Sequence, residues 1–122
     1  MGDVSEHFNR KNFECRCGQC GFDAVDVELL GHLEDARHYF NAPIIINDAC
    51  RCVIHNASVG GSIHSQHLLG KAADIQITTV HPNAVADYFE MLFPDKYGIG
   101  RYPTAGFTHF DVRDIKARWT IK

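Results

Sequence analysis

The sequence predicts a single α+β domain, with helices packed on one face of a small, mainly antiparallel sheet. Three observations carry this. Apolar residues recur at helical steps over residues 26–40 and 82–93. Four short runs, 43–47, 71–77, 97–102 and 107–113, are β-branched or alternate apolar with polar residues. The 122 residues contain no repeat, low-complexity tract or linker, so they fit one domain, 1–122, with the first 25 residues as part of it.

Taken in order, residues 5–12 read as a short helical turn entered at Ser5 and anchored by Phe8. Residues 14–23 (ECRCGQCGFD) form a Cys/Gly loop. From Asp26 to Phe40, Leu29, Leu30, Leu33, Ala36 and Phe40 make an apolar stripe, and Pro43 forces the helix to end. Residues 43–47 (PIIIN) give a buried strand, followed by a long polar loop, 48–66, containing Gly60-Gly61 as a turn. A loop of that length inside a compact domain is usually functional. In 71–77 (KAADIQI), Ala73, Ile75 and Ile77 take the core face, and Ala72, Asp74 and Gln76 the other. The second helix starts at His81-Pro82 and ends before Pro94. Strands 97–102 and 107–113, joined through Pro103–Gly106, close the pattern as a hairpin, with His109 and Asp111 on one face.

Twelve Lys and Arg stand against fifteen Asp and Glu, a formal net charge of -3, in a chain that is 45% hydrophobic and 22% charged. That is ordinary for a soluble domain, and without a basic block nucleic acid is not an expected partner. No apolar run approaches the ~20 residues of a membrane span. Residues 1–11 are polar and lack the apolar segment of a signal peptide, so the expectation is a protein made in the cytoplasm without that export route. A monomer is expected.

Eight His and five Cys raise the question of a metal. The strongest local feature is Ser65-Gln-His67-Leu-Leu-Gly70-Lys-Ala72-Ala-Asp74. An imidazole at the end of the long loop and a carboxylate inside a strand, where Asp is depleted, are good zinc ligands. His109 supplies a third if its strand pairs beside that of Asp74. Three protein ligands with a fourth position open to water mark a catalytic zinc site. Of the other histidines, His7, His32, His38 and His81 read as solvated, and His55 beside Asn56 as a hydrogen-bonding brace of the loop.

This segment, S-x-H-x-x-G-x-A-x-D, resembles the signature of the D-Ala-D-Ala carboxypeptidase family of zinc peptidases, which shares its metal site with lysostaphin-type peptidases and the hedgehog domain. Phe13-Glu-Cys15, Pro43-Ile-Ile-Ile, Cys50-Arg51-Cys52, His55-Asn56, Val59-Gly60-Gly61, Gly98-Ile-Gly-Arg-Tyr102 and His109-Phe-Asp111-Val-Arg113 resemble its small phage and prophage branch in the same order. The resemblance covers nearly the whole chain. It implies a hedgehog/D-Ala-D-Ala peptidase-like fold. His67, Asp74 and His109 would bind one catalytic zinc, Arg51 a substrate carboxylate, and Ser65 would orient the loop or the substrate.

The substrate implied is the peptidoglycan stem peptide, cut at the D-Ala-D-Ala or the L-Ala-D-Glu bond. The protein would reach the bacterial wall through lysis or virion delivery. In one place the chain departs from the pattern: many relatives carry Glu or Asp three residues before the last zinc His, and here that residue is Gly106. Asp111 is the nearest carboxylate, as general base or as an orienter of the site, and His64 is placed to assist a transition state. A non-catalytic zinc-containing wall-binding module is the alternative.

Cys15, Cys17 and Cys20 cluster, while Cys50 and Cys52 flank Arg51. A cross-tie between the two groups is expected to brace the Arg51 loop. Disulfide, second structural zinc and free thiols are all open, because C-x-C-x-x-C is an imperfect version of paired C-x-x-C spacing.

Overall fold

The computed structural model describes residues 2–122. Helix α1 (Val27–Phe40) is capped by Asp26, whose carboxylate accepts from the N–H groups of Glu28 and Leu29, and it stops at Asn41 in the left-handed region. Strand β1 (Ile44–Asp48), helix α2 (Val53–Ser58), strand β2 (Ala72–Ile77) and helix α3 (Pro82–Leu92) follow. Strands β3 (Gly98–Tyr102), β4 (Phe107–Asp111) and β5 (Ala117–Thr120) complete the chain.

The five strands form one sheet in the order β1-β2-β4-β3-β5. Every neighbouring pair is antiparallel except β3 and β5, which run parallel. Because side chains alternate along a strand, the sheet has two distinct faces. One carries Ile46, Ala73, Ile75, Ile77, Ile99 and Phe110, which join Leu29, Leu33 and Ala36 of α1 and Val85, Ala86 and Phe89 of α3 in the core. Phe89 and Phe110 stack with ring centroids 4.0 Å apart. This is the predicted α+β sheet with helices on one face. The opposite face is left for Asp74, His109 and Asp111.

The structure corrects several local expectations. Ser5 does not open a helix. Its hydroxyl donates to Glu34 at 2.5 Å, and the short 3-10 turn lies at Arg10–Phe13 instead. The 48–66 stretch is not all loop: it contains α2, and a 3-10 turn follows at Gln66–Leu69. Helix α2 has no apolar stripe to betray it, since Val53 and Ile54 are exposed and Asn56 is its one buried residue. Strand β4 ends at Asp111 because Arg113 turns back to bind that carboxylate. Strand β5 was not foreseen: Ala-Arg-Trp-Thr is four residues, only partly buried.

Two histidines expected to be solvated are engaged. His7 binds Glu34 at 2.7 Å, and His32 packs on Phe93, Tyr97 and Phe110. Exposed His81 caps α3, its ring accepting from the Asn83 N–H. Asn56 rather than His55 braces the polar loop, donating to the Ser62 carbonyl at 2.8 Å.

Candidate metal centre and active-site cleft

Strand register builds the centre. Asp48 is opposite Asp74, Asp74 opposite His109, His109 opposite Gly100, and Gly100 opposite Trp119. One row therefore crosses all five strands on the face away from the helices. The next row holds Ala72, Asp111, Gly98 and Ala117. Both β3 positions are glycines for a steric reason. A Cβ on Gly98 would lie 2.2 Å from the Asp111 carboxylate, and one on Gly100 would lie 2.4 Å from the Trp119 ring.

His67 reaches this row from the 3-10 turn. Ser65 caps that turn, its hydroxyl accepting from the His67 N–H at 3.2 Å, and Gly70 ends it with φ 68°. The backbone N–H of Arg51 donates to the His67 carbonyl at 2.9 Å, so the two loops are joined. His67, Asp74 and His109, all buried, bring one ligand atom each within 4.8 Å of one another.

Their hydrogen bonds show which atoms are free for a cation. His67 Nδ1 lies 2.5 Å from the Ala49 carbonyl oxygen, which can only accept, so Nδ1 carries the proton. His67 Nε2 then faces Asp74 at 3.4 Å. His109 Nε2 lies 2.6 Å from Asp111, and its Nδ1 faces Asp74 at 3.0 Å. Burial alone would raise the Asp74 carboxyl, but its bonds to His109 and His67 outweigh this and hold it well below the usual carboxylate range. Burial likewise opposes a charged His109, and the hydrogen bonds it makes to the Asp111 and Asp74 carboxylates overcome this and push its pKa up. Two imidazole nitrogens and a carboxylate oxygen that converge, with their far sides tied, fit zinc.

The trio opens into a cleft of about 330 Å³. Arg51 stands on its wall. Asp48 accepts from Arg51 Nε at 2.8 Å and Asn56 from a terminal nitrogen at 3.1 Å, while the other terminal nitrogen lies 3.6 Å from Asp74. Ser65 and exposed His64 also line the cleft. Among its described lining residues Asp74 is the one carboxylate. Asp111 is fully buried and sits behind His109, with Arg113 donating to both of its oxygens at 2.8 and 2.7 Å. Burial would raise the Asp111 carboxyl, but the Arg113 and His109 bonds hold it low.

Sequence reasoning overlooked Tyr102 and Trp119. Trp119 packs on His109 at 4.8 Å between centroids and donates to the Tyr102 hydroxyl at 2.9 Å. An isolated Trp in an alternating Ala-Arg-Trp-Thr run was the available signal.

Four of the five cysteines, Cys15, Cys17, Cys20 and Cys52, place their sulfurs within 4.8 Å of one another. Cys50 lies apart, its thiol donating to the carbonyls of Phe13 and Phe22 at 3.0 and 2.9 Å.

A His–Asp–His set, two of it on the sheet and one on the adjoining 3-10 turn, open on one side to a cleft with a braced guanidinium, fits the metallopeptidase class. Residues 6–111 match the family described as Peptidase M15, and the chain belongs to that family. It is a zinc-dependent peptidase of peptidoglycan-type substrates, as its resemblance to the D-Ala-D-Ala carboxypeptidases implied. Among curated proteins none matches the chain significantly.

Proposed function

We propose that the protein hydrolyses a peptide bond of the peptidoglycan stem peptide that lies near a free carboxylate. The D-Ala-D-Ala bond and the L-Ala-D-Glu bond both meet that description. The reading is carried by one observation: the His67, Asp74 and His109 ligand atoms converge on a cleft whose wall presents Arg51. His67 Nε2, an Asp74 oxygen and His109 Nδ1 would hold the zinc ion. Bound there, zinc lowers the pKa of water toward neutrality and polarises a carbonyl.

The chain's own residues do the rest. Arg51 offers a planar fork to the substrate carboxylate, held in place by Asp48 and Asn56, and this fixes the peptide in register. Asp111 fixes the tautomer and angle of His109, the orienting role of the two the sequence left open. Ser65 shapes the turn that carries His67. Gly106 supplies no carboxylate, so proton exchange falls to His64, an exposed imidazole that lines the cleft. A phage or prophage origin suits this activity, with delivery to the wall by lysis or from a virion.

Digestion of purified peptidoglycan, with and without chelator, tests the reading when new termini are identified by mass spectrometry. Chelator-sensitive cleavage next to a carboxylate-bearing residue is expected. No such product from several wall chemotypes would sink the substrate assignment. In the same assay His64→Ala should keep its zinc and lose turnover. Unchanged turnover would remove His64 from the mechanism.

A further inference from the structure

The loop Glu14–Phe22 contains no helix or strand, and two of its three cysteines are each followed by a glycine in the left-handed region, Gly18 at φ 74° and Gly21 at φ 68°. These glycines follow Cys17 and Cys20 directly and turn the backbone so that its amides face sulfur. Cys17 Sγ accepts from the N–H groups of Gln19 and Cys20, and Cys20 Sγ accepts from that of Phe22, each at 3.4 Å. Across the gap, Cys15 Sγ accepts from the Cys52 N–H at 3.3 Å, and Cys52 Sγ accepts from the His55 N–H at 3.4 Å. All four sulfurs of the cluster are thus acceptors of backbone N–H bonds. Such bonds suit a sulfur that carries negative charge.

We propose that Cys15, Cys17, Cys20 and Cys52 form a second metal site, a closed four-thiolate structural zinc centre that ties the N-terminal loop to the segment following Arg51. The spacing fits the ion. Zinc–thiolate bonds of ~2.3 Å in a tetrahedron put the sulfurs roughly 3.8 Å apart. Here all four lie within 4.8 Å of one another, and Cys17 and Cys20 are 3.4 Å apart. Closing the site needs small side-chain shifts and no movement of an element.

The fifth cysteine sharpens the assignment. Cys50 donates its S–H to two carbonyl oxygens, which cannot donate in return, so its sulfur stays a thiol in the core. The four others deprotonate on binding, their protons passing to solvent, and no electron changes hands. With four sulfur ligands no position is left for water, which makes the site structural. Cys52 also caps α2 and directly follows Arg51, so the ion would anchor the loop from which the guanidinium reaches the cleft.

Metal content of protein purified under reducing conditions tests this, independently of any wall-cutting assay. Elemental analysis should find two zinc ions per wild-type chain, one in His67→Ala, one in the double variant Cys17→Ser, Cys20→Ser, and two in Cys50→Ser. Because the double variant could unfold, cobalt exchange into His67→Ala gives a second readout. A thiolate-to-cobalt charge-transfer band is expected there. The proposal is overturned by a single wild-type zinc that His67→Ala abolishes, or by cobalt-loaded His67→Ala without that band. It is equally overturned by an intact mass showing Cys17 or Cys52 in a disulfide in the zinc-supplemented protein.

Discussion

The His67–Asp74–His109 corner and the four-cysteine corner are assembled from different parts of the fold. The first stands on paired strands. Asp74 and His109 are directly opposed in the β2–β4 ladder, and both histidines have their remote nitrogens tied to the scaffold. The second hangs on irregular chain, held by amide-to-sulfur bonds and only partly buried. Two ligands on a rigid ladder, with a third on a turn whose imidazole is tied to the Ala49 carbonyl, can stay pointed at a fourth, open position. A loop cannot, and must take its order from the ligand itself. The sheet-borne site is therefore suited to chemistry and the loop-borne site to bracing.

The largest expected contrast comes from His67→Ala. Cleavage should fall to background in the peptidoglycan assay, while thermal unfolding changes little, because the strands remain. A variant that cuts normally would break the assignment of the sheet-borne site. Next comes Arg51→Ala, which should cost about 2–5 kcal/mol in kcat/KM, the usual penalty for removing one partner of a buried charge pair, with zinc retained. Loss of zinc would make Arg51 structural instead.

Asp111→Asn keeps the size of the side chain but removes the charge behind His109. A drop of roughly 10–100-fold in zinc affinity is expected, with activity following it. Activity lost at full zinc occupancy would instead mark Asp111 as the proton acceptor. The smallest effect belongs to Gly98→Ala. Its Cβ would meet the Asp111 carboxylate, which has no room to yield between β3 and β4. Overpacking of this kind costs about 1–3 kcal/mol. Calorimetry should show a lowered Tm and zinc titration a weakened sheet-borne site, with the cysteine corner unaffected.

How far these corners could be read from sequence also differs. The S-x-H-x-x-G-x-A-x-D run displayed two candidate ligands outright, and alternation placed Asp74 away from the core. The third candidate, His109, depended on a pairing that only the sheet could supply, and β2 does lie beside β4. The role of Asp111 was undecidable from spacing alone. Two residues apart on a strand is compatible with reaching the cleft or with standing behind His109. The buried carboxylate, bonded to His109 and Arg113, has the second position, which supports the proposed orienting role. For the cysteines, spacing suggested a tie but could not choose its members. Cys50 and Cys52 are equivalent on paper and opposite in the fold, one pointing to carbonyls in the core and the other to the cluster. Helix α2 and strand β5 stayed hidden because neither buries an apolar stripe, and periodicity registers only what is buried.

By itself the sequence determined the α+β class, the two long helices, the core faces of the strands and the chemical identity of the candidate metal ligands. These follow from local rules, namely period, capping, turn chemistry and ligand type. Tertiary structure alone decided which groups meet: the cross-strand row from Asp48 to Trp119, the brace of Asp48 and Asn56 on Arg51, and the exclusion of Cys50 from the sulfur cluster. The physical reason is that such contacts join residues distant along the chain. Their distances are set by strand register and loop closure, which no local pattern encodes.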